Sequence, residues 1–553
     1  MKRKLFLLAG LCCLLTGCSQ ADRAEAYPLH TNQETVDASY LLSTEEIERE
    51  TEDLQSKYDY DTKVTDKNGN ILSERSDGSW HVSESGQQIY GLISEITNNG
   101  IIGPDIRYAI DIDTDLTQDC LEILADHQLD GCIIISDMHG KIQAVADYTN
   151  MIEYYSDGEF KISADHDQFD ILLEKDENTQ NYILHHTSGA EDEIIPFDKM
   201  YIGHNGRTYH SDGVYYGSTA KLMSSIVLME AGMSFEDTSY YDAGVINYGY
   251  NKNIFNHNYG KGGYPAWHNM LTSLVNSYNT FFAAGYESIA KGSFYEDFDI
   301  QKENASELLD PENGFRTVCK IMNRYFGFNE FGSQKAGYIY PCDWMDLRQP
   351  SLNAINTARE NSRDREFLIA RMAIGMCSDG QIIDNQPTGN YFDASPLFLN
   401  AVTSAVATGD MYRFRIKSDS TEAKLKDMEY NHSENPENPE LSEYDTGTEI
   451  KSIPLAYREA LWAGMKKIMP YTYDGYTAYV KTGTADDGSA FKRFLLTGFI
   501  TESEEPQESE IPEGWAVTLY IHNGTELDSE FASGYTDVYK QILRRVIEGG
   551  ETA

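Results

Sequence analysis

Gly217-Ser218-Thr219-Ala220-Lys221-Leu222-Met223-Ser224-Ser225-Ile226-Val227-Leu228-Met229 is the stretch on which the reading of this chain turns. Leu222, Met223, Ile226, Val227 and Met229 recur at helical spacing and the pattern stops near Gly232, so an apolar helix opens just after Gly217. Lys221 then stands one turn beyond Ser218 on the same face, within reach of the serine hydroxyl. A serine hydroxyl is a poor nucleophile at neutral pH and needs a neighbouring base to take its proton. A lysine can serve only if burial or nearby cations lower its pKa. Ser218 and Lys221 are therefore a candidate nucleophile and base.

Two more short elements follow in order, Ser277-Tyr278-Asn279 and Lys481-Thr482-Gly483-Thr484. Each pattern alone is weak. Ser489-Ala490-Phe491-Lys492 also fits Ser-x-x-Lys, and Ser351-Leu352-Asn353 and Ser433-Glu434-Asn435 also fit Ser-x-Asn. Context separates them, because Ser489 lies in a Gly/Asp turn and Ser433 in an acidic insertion, whereas Ser218 opens a helix.

The ordered trio resembles the penicillin-binding protein transpeptidases, serine acyltransferases that cross-link peptidoglycan and are acylated by β-lactams. The likeness spans residues 104–548. Ile106-Arg107-Tyr108-Ala109-Ile110-Asp111 resembles the segment that opens the domain, Phe326-Gly327-Phe328 a turn between its helices, and Ser395-Pro396-Leu397 with Ala407-Thr408-Gly409 the stretch before its last strands. Residues 58–103 resemble a truncated pedestal of the monofunctional, class B type, with no room for a glycosyltransferase domain. The resemblance implies an α/β (α+β) fold: a five-stranded antiparallel sheet flanked by helices, with a large helical insertion. It implies Ser218 as nucleophile, Lys221 as base, Ser277 as proton relay and Asn279 as a hold on Lys221 and on a substrate carbonyl. Lys481, Thr482, Gly483 and Thr484 would bind the carboxylate of a D-Ala-D-Ala stem, and the Ser218 and Thr484 N–H groups would form the oxyanion hole. Two features depart from the family pattern: Tyr216 stands where proline is usual, and Asn150–Arg207 is long and polar.

The implied function is a D,D-transpeptidase acting on peptidoglycan stem peptides and binding β-lactams. A D,D-carboxypeptidase would use the same acyl-enzyme with water as acceptor, and a wall-assembly scaffold or β-lactam sensor would keep the fold without turnover. Other cell-wall synthesis proteins are the expected macromolecular partners, and no cofactor is expected.

The N-terminus adds a location. Lys2, Arg3 and Lys4 precede an apolar run from Leu5 to Leu15, too short for the ~20 residues of a membrane span. Leu15-Thr16-Gly17-Cys18 resembles a bacterial lipobox, implying a signal over residues 1–17, a lipidated Cys18 and a mature protein anchored on the extracytoplasmic face of the membrane. A polar, Glu-rich tether runs to Lys57. The chain carries 44 basic against 89 acidic residues, so it repels phosphate backbones and nucleic acid is not an expected partner.

Metal is not expected either. Asp111, Asp113, Asp115, Asp119 and Glu122 imitate a calcium loop, but Leu116 occupies the position that needs glycine. Cys120, Cys132, Cys319, Cys342 and Cys377 are widely spaced and odd in number, so no disulfide framework is legible. Patterning also predicts a hairpin around Asn68-Gly69, a helix ending near Ala125, a second hairpin turning at His139-Gly140, and mostly helical spacing from 219 to 470. Strands at 476–480, 494–500 and 515–521 and a final helix over 538–547 close the chain.

Overall fold

Asn68-Gly69 turns the chain as its sequence predicts, with Gly69 at φ 85°, joining β1 (Lys63–Thr65) to β2 (Ile71–Ser76). β3 (Ser79–Val82) continues this meander, and β4 (Arg107–Ala109) pairs parallel with β1 to complete a four-stranded sheet. The computed structural model describes most of residues 62–148, 216–300, 314–327, 362–376, 395–427, 450–485, 493–524 and 532–550, with short segments between them. Residues 58–553 form one compact unit. The signal, Cys18, the tether to Lys57, Cys342, Cys377, the 428–449 insertion and the motif decoys Ser351, Ser433 and Ser489 lie outside the described residues.

The centre is a second sheet. α1 (Thr114–Asp126) starts at Asp113, whose side chain accepts the Leu116 N–H, and leads into β5 (Leu129–Asp137) and β6 (Ile142–Tyr148). The C-terminal strands β11 (Thr472–Tyr473), β12 (Tyr476–Ala485), β13 (Arg493–Thr501) and β14 (Gly514–Gly524) complete it. The order is β11-β12-β13-β14-β5-β6, antiparallel throughout. The chain's two ends thus meet in one sheet through the β5–β14 pair. The expected five strands become six, because the tight turn at Asp474-Gly475 folds Thr472 and Tyr473 back onto the start of β12.

Helices cover both faces, which is why β5 reads as an unbroken apolar run rather than an alternation. Ile133 and Ile135 join Val480, Leu496 and Val517 under α1 and the C-terminal helix α9 (Thr536–Gly550). Cys132 and Ile134 point the other way, into a larger core with Tyr479, Leu495, Phe499 and Tyr520. Successive strand residues alternate faces, so one strand supplies both cores.

That larger core carries the helical insertion. α2 (Lys221–Glu230), α3 (Met270–Val275), α4 (Asn279–Lys291), α5 (Gly314–Phe326), α6 (Ser362–Ala373), α7 (Pro396–Thr408) and α8 (Leu455–Ile468) lie within it. α7 is the hub, buried along its whole length. The Ser395 hydroxyl accepts the Phe398 N–H, Pro396 opens the first turn, and Gly409 at φ 97° ends it. Its Asn400 meets Ser136 Oγ at 2.7 Å on β5. The stretch from 219 to 470 is less uniformly helical than its spacing suggests. Strands β7 (Ser239–Asp242), β8 (Val245–Asn247), β9 (Asn253–Phe255) and β10 (Ala266–Asn269) form two hairpins, β7–β10 and β8–β9, between α2 and α3. Gly244 and Gly249, both at positive φ, make the turns that a helical window averages away. Among the described residues no helix is long and apolar enough to cross a membrane.

Candidate active site

Ser218 sits on a 3₁₀ turn, Gly217–Ala220, that runs directly into α2. The turn packs against the outer edge of β12, which beyond Ala478 has no further strand beside it among the described residues. Two glycines permit the approach. A Cβ on Gly483 would stand 2.7 Å from the Tyr216 carbonyl oxygen, and one on Gly217 would stand 2.6 Å from that of Thr484. Gly217, at φ 49°, donates its N–H to the Gly375 carbonyl at 3.0 Å, so the end of α6 clamps the turn from behind.

Ser277 and Asn279 come from the link between α3 and α4. Ser277 occupies the left-handed region at φ 56°, an uncommon conformation for a residue with a side chain, and this directs its carbonyl toward Lys221. Asn279 is the first residue of α4.

Lys221 is fully buried and joins three of the four predicted catalytic positions to itself. Its Nζ lies 2.8 Å from Ser218 Oγ, 2.8 Å from the Ser277 carbonyl, 3.1 Å from Ser277 Oγ and 2.7 Å from Asn279 Oδ1. The two carbonyl oxygens can only accept. A neutral amine satisfies them with its two N–H bonds and leaves its lone pair for the Ser218 hydroxyl. Burial holds the Lys221 pKa well below its usual value, and the positive charge of Lys481 lowers it further. Both effects favour the neutral form that a base requires.

Lys481 also faces this side of the sheet and is fully buried. Its Nζ donates to Ser277 Oγ at 3.2 Å and to the Thr482 carbonyl at 2.7 Å, so Ser277 bridges the two lysines. Burial brings its pKa down to about 7. Thr484 accepts the Ala532 N–H on its hydroxyl at 2.9 Å, tying the motif to the turn before α9. Asn279 spends one N–H of its amide on the Phe255 carbonyl at 2.9 Å, leaving the other for a ligand.

Three supports had no sequence signal. Gly375 lies far from any motif. Asp242 and Asn256 come from the hairpins: Asp242 Oδ2 accepts from Thr280 Oγ1 at 2.6 Å and Asn256 Nδ2 at 2.9 Å, and Asn256 Oδ1 accepts the Thr280 N–H at 3.0 Å. This buried network holds the hairpins against the first turn of α4, one residue after Asn279. In the calcium-like run Asp113 caps α1 and pairs with Lys67 at 2.6 Å. Among the described residues no cluster of His, Cys, Asp and Glu could hold a metal ion.

No family model and no curated protein matches the sequence. Solved structures do match by shape. The D,D-transpeptidase domain of a peptidoglycan glycosyltransferase from Eggerthella lenta aligns over 89% of this chain and 99% of its own length, with TM-score 0.57 and 14% identity. This is the fold of the penicillin-binding transpeptidase domains. Penicillin-binding protein A from M. tuberculosis, solved as acyl-enzyme complexes with imipenem and ceftriaxone, aligns over the same shares, with TM-scores of 0.51 and 0.52 and identities of 13% and 14%. At such identity the likeness extends to the fold alone, and the chemistry rests on the side chains just described.

Proposed function

We propose that this protein is a serine D,D-transpeptidase that forms an acyl-enzyme with D-Ala-D-Ala stem peptides and is covalently trapped by β-lactams. The observation that carries this reading is the buried Lys221 amine, held by two carbonyl acceptors with its remaining position aimed at Ser218 Oγ. Lys221 takes the Ser218 proton as Oγ attacks the penultimate D-Ala carbonyl. The Ser218 and Thr484 N–H groups receive the developing oxyanion, each such donor contributing about 3 kcal/mol. The proton passes through Ser277 Oγ, which contacts both lysines, to the departing D-Ala amine. The amine of a second stem, working with other cell-wall synthesis proteins, then takes the acyl group. Labelling the protein with a fluorescent penicillin and mapping the adduct by mass spectrometry tests the reading; an adduct anywhere but Ser218 refutes it.

Lys481 is read as the carboxylate-binding cation. A lowered pKa means that it gives up its proton earlier as pH rises, so above about 7 the free protein loses the charge that attracts the ligand. Acylation measured as a second-order rate should fall above about pH 7, by up to tenfold per pH unit. Lys481→Arg keeps its charge and should remove that alkaline limb, losing less activity at neutral pH than Lys481→Ala. An unchanged limb in the arginine variant assigns it to another group.

We further propose lipid anchoring at Cys18. A single acyl chain binds membranes marginally and two or more hold firmly, which the body requires beside an anionic surface, since removing Lys2, Arg3 and Lys4 with the signal takes the 44 basic residues to 41 against 89 acidic. Cys18→Ala should leave the protein soluble or uncleaved, with penicillin labelling unchanged. Its recovery in the membrane fraction, cleaved and unlipidated, would point to a different anchor.

A further inference from the structure

Tyr278 precedes α4 without capping it, because its side chain makes no hydrogen bond to the first N–H groups of the helix. The cap comes from the hairpins instead. Asn256 Oδ1 accepts the Thr280 N–H at 3.0 Å, and Asp242 Oδ2 accepts from Thr280 Oγ1 at 2.6 Å. Asp242, Asn256 and Thr280 are all buried. A carboxylate distant in sequence thus fixes the helix start at the residue next to Asn279, where negative charge also suits the positive end of the helix dipole.

The same carboxylate reaches Asn279 by a second route. Asp242 Oδ1 accepts the Gly244 N–H at 2.6 Å, and the Gly244 carbonyl accepts the Asn256 N–H at 3.1 Å. A trans peptide unit is planar, so its C=O points opposite to its N–H. Tying the Asn256 N–H to Gly244 therefore turns the Phe255 carbonyl the other way, onto Asn279 Nδ2 at 2.9 Å. That contact decides which end of the Asn279 amide faces Lys221. With Nδ2 on the Phe255 carbonyl, Oδ1 meets Lys221 Nζ at 2.7 Å. Reversed, the amide would set oxygen against the Phe255 carbonyl and turn its N–H to the Lys221 lone pair that Ser218 needs.

Hydrogen-bond polarity makes the carboxylate necessary. Its partners are the Gly244 N–H, the Asn256 amide N–H at 2.9 Å and the Thr280 hydroxyl, and the first two can only donate. Asn256 cannot turn its amide over, since its Oδ1 is committed to the Thr280 N–H and its Nδ2 also donates to Tyr264 Oη at 2.9 Å. In Asp242→Asn the new amide nitrogen must face one of these donors, although the side chain keeps its size.

We propose that Asp242 is a positioning residue for acyl transfer, acting through Asn256 and Thr280 to keep Asn279 Oδ1 turned toward Lys221. Resting on the acyl-enzyme reading, this adds to it a residue that touches neither the substrate nor the reacting atoms. On the full chain in detergent, followed by intact-mass spectrometry, Asp242→Asn should lower the second-order rate of acylation by benzylpenicillin by up to about 10²-fold, the cost of misplacing a reacting group by about 1 Å. Thr280→Val removes a single donor and should lower the rate less. The deciding measurement is a double-mutant cycle with Asn279→Ala: because Asp242 acts through Asn279, adding Asp242→Asn to Asn279→Ala should slow acylation by no more than about twofold further. Glu230→Gln is the control, since Glu230 likewise gathers buried donors, from Arg324, Tyr325 and Tyr457, but at the far end of α2. Its rate should stay within about twofold of the wild type. An unchanged rate in Asp242→Asn, a full multiplicative loss in the cycle, or an equal loss in Glu230→Gln would each overturn the proposal. Should Asp242→Asn fail to fold, Thr280→Val takes its place in the cycle under the same criteria. The adduct on the wild type reports separately: its absence from Ser218 would remove the acyl-enzyme reading, whereas a Ser218 adduct with multiplicative losses would remove only the role of Asp242.

Discussion

Ser218→Ala will take up no penicillin, and Lys221→Ala will be acylated about 10²–10⁴-fold more slowly than the wild type, the range that general-base catalysis contributes. The two losses differ in kind. Ser218 supplies the atom that becomes bonded to the acyl group, so its removal leaves no adduct detectable by intact-mass spectrometry at any time. Lys221 supplies proton transfer, so its variant should still form the Ser218 adduct slowly, and faster as pH rises and hydroxide removes the serine proton directly. The structure sharpens this expectation, because Lys221 Nζ stands 2.8 Å from Ser218 Oγ and is held there by the Ser277 carbonyl and hydroxyl and Asn279 Oδ1, all within 3.1 Å. Removing the amine also leaves the Ser277 carbonyl and Asn279 Oδ1 without their donor, which costs about 1–3 kcal/mol for each buried acceptor. Lys221→Ala should therefore be measurably less stable as well as slow. A Ser218→Ala protein that still gains the mass of a penicillin, or a Lys221→Ala protein acylated at the wild-type rate, would show that another pair does the chemistry.

Gly375→Ala should destabilise the protein by about 3 kcal/mol or more, the sum of a left-handed alanine and severe overpacking. Gly375 lies at φ 67°, and a Cβ there would stand 2.1 Å from the Gly217 carbonyl oxygen and 2.7 Å from its nitrogen. Backbone cannot swing aside as a side-chain tip can. The clash falls on the residue before Ser218, so acylation should fall together with stability. Gly260→Ala separates strain from crowding: Gly260 has φ 83° with nothing within 4 Å of the added Cβ, and its variant should cost about 1 kcal/mol and leave acylation unchanged. Urea unfolding and penicillin acylation of both variants check the pair. Equal effects would mean that backbone conformation alone, and not the contact with Gly217, accounts for the cost.

Local patterns were legible wherever a single element states its own case. The helix after Gly217, the hairpin turns at Asn68-Gly69 and His139-Gly140, and the three strands before the last helix could be read because apolar spacing and turn residues act over a few positions. The mixed fold follows from their order. Misreadings arose where elements depend on distant partners. A two-residue strand such as Thr472–Tyr473 exists only because β12 is beside it, and the hairpins between α2 and α3 were hidden in a window that is helical on average.

By itself the sequence determined which residue types are available for acyl transfer and which lie close along the chain: Ser218 and Lys221 share a face because one helical turn separates them. Only the tertiary structure decided that Ser277, Asn279 and Lys481 converge on that pair. It also decided that both lysines are buried, the condition that lowers their pKa values. Gly375, Asp242 and Asn256 belong to the same class, because each acts through a contact made by backbone or buried polar atoms of remote segments. The physical reason is range. Propensity and periodicity act over a few residues, whereas desolvation and hydrogen bonding depend on whatever the folded chain brings near, however distant in sequence.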